Sequence, residues 1–329
     1  MNADPWQQEF DVALRAVREG ALLARDVREH IGNRPLVKAD RSPVTVADFA
    51  GQALIAHRLA EAFPDDPLVA EEDAGSLRRA AGQTTLEAVL AALRRAASDL
   101  DSNCVLDMIY RGRGVPGERV WALDPIDGTQ GFIRGDHDVV ALALIVRGRV
   151  EMGLLGCQEL SLSDRAGDDH GSMTYAVRNR GTFLASLTGH EFVPLRVSSC
   201  RDPKAARALR SFEADHIDLH TFNAIVRSLG VETPPILMDS QAKHAVIAAG
   251  RAELMIRVPA KKMFRDKIWD QAAGSLIIEE AGGRVTDLRG ARLDFGTGRL
   301  LTRNQGVVAS NGLLHPAVLD ALRGAVTES

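Results

Sequence analysis

The chain has 329 residues, 45% hydrophobic and 26% charged, with 40 Lys and Arg against 44 Asp and Glu for a net charge of −4. That length can bury one large or two modest cores, and the mildly acidic balance excludes a general binder of nucleic acid polymers, which is usually clearly basic. No apolar run reaches membrane-spanning length, Met1-Asn2-Ala3-Asp4-Pro5 is unlike a signal peptide, and Cys104, Cys157 and Cys200 lack metal-site spacing, so a cytoplasmic protein with reduced thiols and no membrane partner is expected.

Asp4-Pro5 predicts a helix start, and Phe10, Leu14, Val17, Ala21 and Ala24 recur at helical spacing until Gly32 and Pro35. A second helix is expected over residues 46–63 with Asp48 in its first turn, then a short buried strand over 67–70 that delivers Glu71 at its end. Thr84-x-x-Glu87 reads as a capping box opening an Ala/Leu-rich helix. Residues 99–117 admit a short helix followed by a Gly/Arg-rich loop. Strand-like segments at 119–123, 139–146, 150–155 and 173–177, broken by Gly-containing turns, imply an antiparallel sheet. After Pro194 the texture alternates: strand 209–212, a helix from about His216, strand 236–238, a helix from Ser240 and strand 254–256. Helix 269–281, strand 284–286 and a last helix from about His315 complete it. The expectation is an α+β domain over 1–193, carrying most of the candidate ligands below, and an α/β domain over 194–329.

The most informative stretch is Trp121-Ala122-Leu123-Asp124-Pro125-Ile126-Asp127-Gly128-Thr129. Pro125 has a fixed φ and no N–H, so the strand is expected to stop there, and Gly128 then allows a sharp turn into a short helix. Asp124 and Asp127 are thereby presented at a strand end beside the Thr129 hydroxyl. Carboxylates aimed at one point suit a hard divalent cation such as Mg²⁺. Taken alone, Asp-x-x-Asp-Gly is equally an Asp-Gly turn with solvated acids.

The longer string resembles the metal-binding signature of the inositol monophosphatase superfamily, Mg²⁺-dependent, lithium-sensitive phosphomonoesterases. Lys267-Ile268-Trp269-Asp270-Gln271-Ala272-Ala273-Gly274, followed by Glu280-Ala281-Gly282-Gly283, is similar to that family's second block. Ser42-Pro43-Val44-Thr45-Val46-Ala47-Asp48 and Val69-Ala70-Glu71-Glu72-Asp73 complete the set in the family's order. Within the superfamily, Asp127-Gly128-Thr129-Gln130-Gly131-Phe132-Ile133-Arg134-Gly135 resembles the 3′(2′),5′-bisphosphate nucleotidases more than the inositol enzymes, although Gln130 stands where Lys is expected. The resemblance implies a layered α/β/α/β/α sandwich of the inositol monophosphatase/fructose-1,6-bisphosphatase type.

It also implies residue roles. Glu71, Asp124 and the carbonyl of Ile126 would hold one ion, and Asp124, Asp127 and Asp270 a second. Asp48, with Glu71, would approach a third ion and the attacking water, with Thr129 bonded to Asp48 or to that water. Asp48 and Asp270 are both expected to begin helices. The N–H groups around Gly128 and Thr129 suit phosphate oxygens. These five acids carry about −5, which two or three Mg²⁺ would offset, so the cation-loaded site accepts a phosphate that the bare site repels. Ser240, Lys243 and Arg257, with His216, match the nucleotide-binding part of the bisphosphate nucleotidases, where a second phosphate needs its own cations. Arg134 is expected at the rim, and Trp121, Trp269 and Phe132 as packing residues.

The implied activity is hydrolysis of 3′-phosphoadenosine 5′-phosphate (PAP) to AMP and phosphate, and of its sulfated form (PAPS) to APS, by metal-activated water, in sulfur metabolism. An inositol mono- or polyphosphate phosphatase keeps the chemistry and changes the substrate. A non-catalytic nucleotide sensor predicts loss of a ligand, and none is lost. A small-molecule nucleotide bisphosphate is thus the expected partner, with a monomer expected over a homodimer.

Overall fold

The computed structural model describes residues 5–31, 36–37, 43–75, 77–78, 82–162, 171–212, 217–261 and 263–327. His216 and Ser42 lie outside the described residues.

Helix α1 (Gln7–His30) and a small ribbon of β1 (Leu36–Val37) and β2 (Pro43–Val44) lead to α2 (Val46–Ala62) and β3 (Leu68–Ala70). Helices α3 (Gln83–Arg95) and α4 (Ser102–Arg111) follow. The chain then runs through β4 (Arg119–Asp127), α5 (Thr129–Arg134), β5 (Val139–Val146), β6 (Arg149–Cys157), β7 (Ser172–Val177), β8 (Gly181–Ser186) and β9 (Val193–Leu195). Strands β3 to β9 form one seven-stranded sheet in chain order, with β3 parallel to β4 and every later pair antiparallel.

A second, five-stranded sheet contains β10 (Ala208–Arg210), β11 (Ile236–Leu237), β12 (Leu254–Arg257), β13 (Arg284–Thr286) and β14 (Val307–Ser310). Its order is β11-β10-β12-β14-β13, with β10 parallel to both neighbours and β14 antiparallel to both of its own. Helices α6 (Leu219–Ser228), α7 (Ala242–Ala248), α8 (Ala272–Glu280) and α9 (His315–Thr327) accompany it.

The layers follow from strand periodicity, because alternate side chains leave opposite faces. On β4, Trp121 and Leu123 join the core formed with α1 and the far end of α2, whereas Val120 and Ala122 join the one formed with α7 and α8. On β12, Met255 faces α7 and α8 while Leu254 and Ile256 meet Phe222 and Ile225 of α6 and Val318 of α9. The order is therefore helices, sheet, helices, sheet, helices, the sandwich that the resemblance implies. Both sheets are covered on both faces, which is why β5 reads as an unbroken apolar run with every residue from Val139 to Ile145 buried. Helix α8 lies in the central layer, and each residue from Ala272 to Ile278 is buried. It approaches β6 at Gly153, where an added Cβ would stand 2.7 Å from the Ala273 carbonyl oxygen and 2.8 Å from its Cα.

Several local expectations change. Strand β4 does not stop at Pro125; it runs on to Asp127 through a bulge, since Asp124 pairs with Ala141 and Asp127 with Val139, three residues against two. A proline lacking its N–H is tolerated where the ladder is already interrupted. The capping box at Thr84 is absent: α3 starts at Gln83, behind Gly82, which makes no side-chain cap. Asp270 precedes its helix instead of beginning it, in a turn where Asp270 N–H donates to the Lys267 carbonyl (3.2 Å). Strands β8, β9 and β14 were not expected.

Candidate metal and phosphate site

A cavity of about 470 Å³ opens between the bulge end of β4 and the carboxyl ends of β10 and β12, lined on one side by Glu71, Asp124, Asp127 and Asp270. Asp124 is held by the bulge itself, its Oδ1 accepting from the Ile126 N–H (3.2 Å). Asp127 ends the strand, and its Oδ2 accepts a 2.7 Å bond from the Gln241 N–H. Gly128 must adopt φ +88°, and an added Cβ would press within 2.8 Å of Ser240 Cβ, so only glycine lets β4 and the segment before α7 meet here.

Asp48 is fully buried and does not line the cavity. Thr45 N–H (2.7 Å) and Thr45 hydroxyl (2.6 Å) both donate to its Oδ2, the capping box that starts α2. Thr129 hydroxyl lies 3.2 Å from Asp48 Oδ1 and 3.1 Å from the Ile126 carbonyl, and its single proton serves one of them at a time. Asp48 thus reaches the cavity through Thr129.

The electrostatics are those of acids without enough cations. Burial and then Glu71, Asp127 and Asp270 push Asp124 well above the usual carboxylate range, against the pull of Lys267. Burial, with Asp127 and Glu71 as repelling neighbours, pushes Asp270 up to about 7 despite Lys267. Asp127 is raised by burial too, with Lys243 and the bonds from Gln241 opposing it. The nearby Lys267 Nζ stands 3.8 Å from Glu71 Oε1. Among the described residues no three acidic, His or Cys side chains close into a cation cage as they stand. The donor set is nevertheless all oxygen and mutually repelling around one cavity, which is the chemistry that hard divalent cations relieve.

The lining of the cavity carries positive charge as well. Lys243 is buried, its Nζ donates to the Met238 carbonyl (2.9 Å), and desolvation pulls it down to about 8 although Asp127 and Asp239 favour its charge. Arg257 Nε stands 2.8 Å from Oδ1 of buried Asp266, an ion pair without hydrogen-bond alignment. Ser240, at φ +63°, accepts from the Ala242 N–H (3.2 Å) and lines the cavity. Arg134 does not line it; the guanidinium pairs with Asp239 and lies 4.4 Å over the Phe212 ring. Burial alone would raise Asp239, but Arg134, Lys243 and Ser211 outweigh it and hold the acid below its ordinary value.

Four residues outside the sequence motifs frame this site. Gln241 side chain donates to the Trp269 carbonyl (2.9 Å) and accepts from the Gly274 N–H (2.9 Å), gripping the turn that carries Asp270 while its own N–H holds Asp127. Gln52, fully buried in α2, donates to the carbonyls of Glu72 (2.9 Å) and Ile109 (3.0 Å) and accepts from the Glu72 N–H (2.9 Å), fixing the segment after Glu71. Arg299 donates to the carbonyls of Ala70 (2.6 Å) and Gly112 (3.0 Å), and its guanidinium lies 4.6 Å over Trp269. Arg210 lines the cavity beside Arg257. A glutamine inside the apolar stretch of α2 was the one local signal available.

The chain matches the inositol monophosphatase family over residues 6–327. It is 37% identical to a 3′(2′),5′-bisphosphate nucleotidase of Oryza sativa over 345 aligned positions, covering 99% of this chain and 96% of the relative. The corresponding protein of Emericella nidulans is 36% identical, with 97% and 98% covered. That of Schizosaccharomyces pombe is also 36% identical, with 95% and 94% covered. Among solved structures the fold is similar to an IMPase of Thermotoga maritima (TM-score 0.67, 22% identity, 97% and 98% covered). It is likewise similar to an inositol monophosphatase of Anabaena (TM-score 0.64, 19% identity, 98% and 97% covered).

Proposed function

The chain belongs to the inositol monophosphatase family, and from that premise we propose that this phosphatase is a Mg²⁺-dependent 3′(2′),5′-bisphosphate nucleotidase, converting PAP and water to AMP and phosphate and acting also on PAPS. The observation that carries the reading is the mixed charge of one cavity, lined by Glu71, Asp124, Asp127 and Asp270 together with Lys243 and Arg257. The names of the Oryza, Emericella and Schizosaccharomyces relatives support the same substrate.

Glu71, Asp124, Asp127, Asp270 and the Ile126 carbonyl would hold two or three Mg²⁺, which when bound offset the carboxylate charge, activate water and neutralise the leaving oxygen. The remaining work belongs to the chain's own groups. Thr129, steadied by Asp48, orients the attacking water by hydrogen bonding. The backbone N–H groups around Gly128 and Thr129 donate to phosphate oxygens. Ser240, Lys243 and Arg257 bind the phosphate that is not cleaved, and His216 is proposed for the same group. A charged second phosphate matches cations that a single-phosphate substrate would leave unused.

The deciding experiment is phosphate release by the purified protein with Mg²⁺, comparing PAP, PAPS, inositol 1-phosphate and inositol 1,4-bisphosphate. Preference for PAP or PAPS of at least about tenfold in kcat/KM, abolished by a chelator and inhibited by lithium, is expected. Preference for an inositol phosphate would retain the metal chemistry and refute the substrate.

A further inference from the structure

We propose that Arg210 is a second guanidinium, beside Arg257, that grips the phosphate that is not cleaved and sharpens the preference for doubly over singly phosphorylated substrate. The inference rests on the nucleotidase reading above and adds a residue and a task to it.

Its placement comes from the topology. Arg210 is the last residue of β10 and pairs with Leu237 of the parallel strand β11. On the other side, the pair Leu209 to Met255 puts Arg210 level with Ile256, one residue short of Arg257 at the end of β12. Lys243 follows in α7, the helix after β11. Two cations thus end adjacent parallel strands and a third follows on the next helix, at the edge of an α/β sheet where ligands bind.

Charge accounting then separates Arg210 from its neighbours. Lys267 stands beside Glu71, and Lys243 has Asp127 and Asp239 as charged neighbours. Arg257 is paired with buried Asp266 and packed at 5.5 Å against the Phe264 ring. Each of these cations already faces an anion of the protein. Arg210 does not: among the described residues its guanidinium meets no carboxylate, and its one side-chain bond runs from Nη1 to the Ser211 carbonyl (2.9 Å). A guanidinium carries five N–H donors, so an edge remains for two phosphate oxygens. The side chain is half-buried in the wall of the cavity, where a bidentate, charge-assisted bond is stronger than in water. Lysine at this position would supply the charge without the fork.

The test compares PAP with adenosine 3′-phosphate, which has the same nucleoside and the same scissile phosphate but lacks the remote one. In the wild-type protein the kcat/KM ratio should strongly favour PAP. Arg210→Ala should cut that ratio roughly 10- to 100-fold, carried by KM for PAP, and Arg210→Lys should cut it less. Calorimetry supplies a readout independent of turnover: AMP affinity relative to adenosine should fall by a similar factor in Arg210→Ala. A wild-type protein that does not favour PAP would sink the nucleotidase reading and this inference with it. A wild-type preference that survives both Arg210 substitutions, together with an unchanged AMP-to-adenosine ratio, would overturn the role of Arg210 alone.

Discussion

The two sheets build opposite halves of one cavity by opposite means. The seven-stranded sheet and helix α2 supply acids through backbone devices: a bulge for Asp124 and Asp127, a strand end for Glu71, a capping box for Asp48. Burial, and then the repulsion among those at the cavity, resists their ionisation. The five-stranded sheet and the helix after β11 supply cations, and most of these are matched by acids, Arg257 by Asp266 and Lys243 by Asp127 and Asp239. One half is thus frustrated until something positive arrives, and the other is settled beforehand. The lesson is that binding energy at the acidic wall is held as relieved repulsion, whereas at the basic wall it must come from whichever donors remain unmatched.

That contrast can be broken most severely at Asp124. Asp124→Asn should lower turnover at least about 10³-fold if, as proposed, it removes a ligand shared between ions. It should leave the metal-free protein no less heat-stable, because a repelled, buried charge is gone. A clear drop in the Tm of the metal-free variant would mean that the acidic wall is not under the strain described. Next in size is the grip between the halves: Gln241→Leu should weaken Mg²⁺ binding roughly 10- to 100-fold in a calorimetric titration, the usual effect of losing a group that orients ligands. Mg²⁺ affinity equal to wild type would show that Asp270 is set by α8 alone.

The smallest expected effect sharpens the comparison by acid titration. His315 is fully buried between Thr286 Oγ1 and Ser310 Oγ, each 2.9 Å away, and burial pulls its pKa down to about 4 from the ordinary 6.5. Neutral in the fold and charged when unfolded, it contributes stability that is complete above pH 6.5 and is lost as pH falls toward 4. Raised carboxylates act with the opposite sign: Asp270 and Asp138, both held near 7 by burial, favour the fold more as pH falls from about 7 to about 4. The stability difference between wild type and His315→Gln, from urea midpoints, should therefore shrink between pH 7 and pH 4.5. A pH-independent difference would place His315 outside this account.

What was legible in the sequence was contiguous. Asp124, Asp127 and Thr129 sit within six residues of one another, and the layered fold followed from the resemblance that such contiguous motifs carry. What was not legible acts across long separations. Gln52 holds a segment 20 residues away, Gln241 one 28 to 33 residues away, and Arg299 one 229 residues away. No local periodicity announces such bonds, because the partners are backbone carbonyls and N–H groups that every residue type offers. The error at Pro125 has a different origin: the rule that proline ends a strand is sound for a regular ladder, and a bulge suspends the ladder at that point. Asp270 was misjudged by two residues because the Trp269-Asp270 turn closes with helix-like bonds before α8 begins.

Gly153 carries a consequence for how this sequence can drift or be engineered. In a strand interior, alanine is ordinarily the better residue by roughly 0.5–1 kcal/mol, so a stabilisation campaign would select that exchange. Here the missing methyl group is the space that α8 occupies. Filling it would shift the helix that follows Asp270, so a change in the middle of the seven-stranded sheet, at a residue with no side chain at all, would be read out as a loss at the acidic wall.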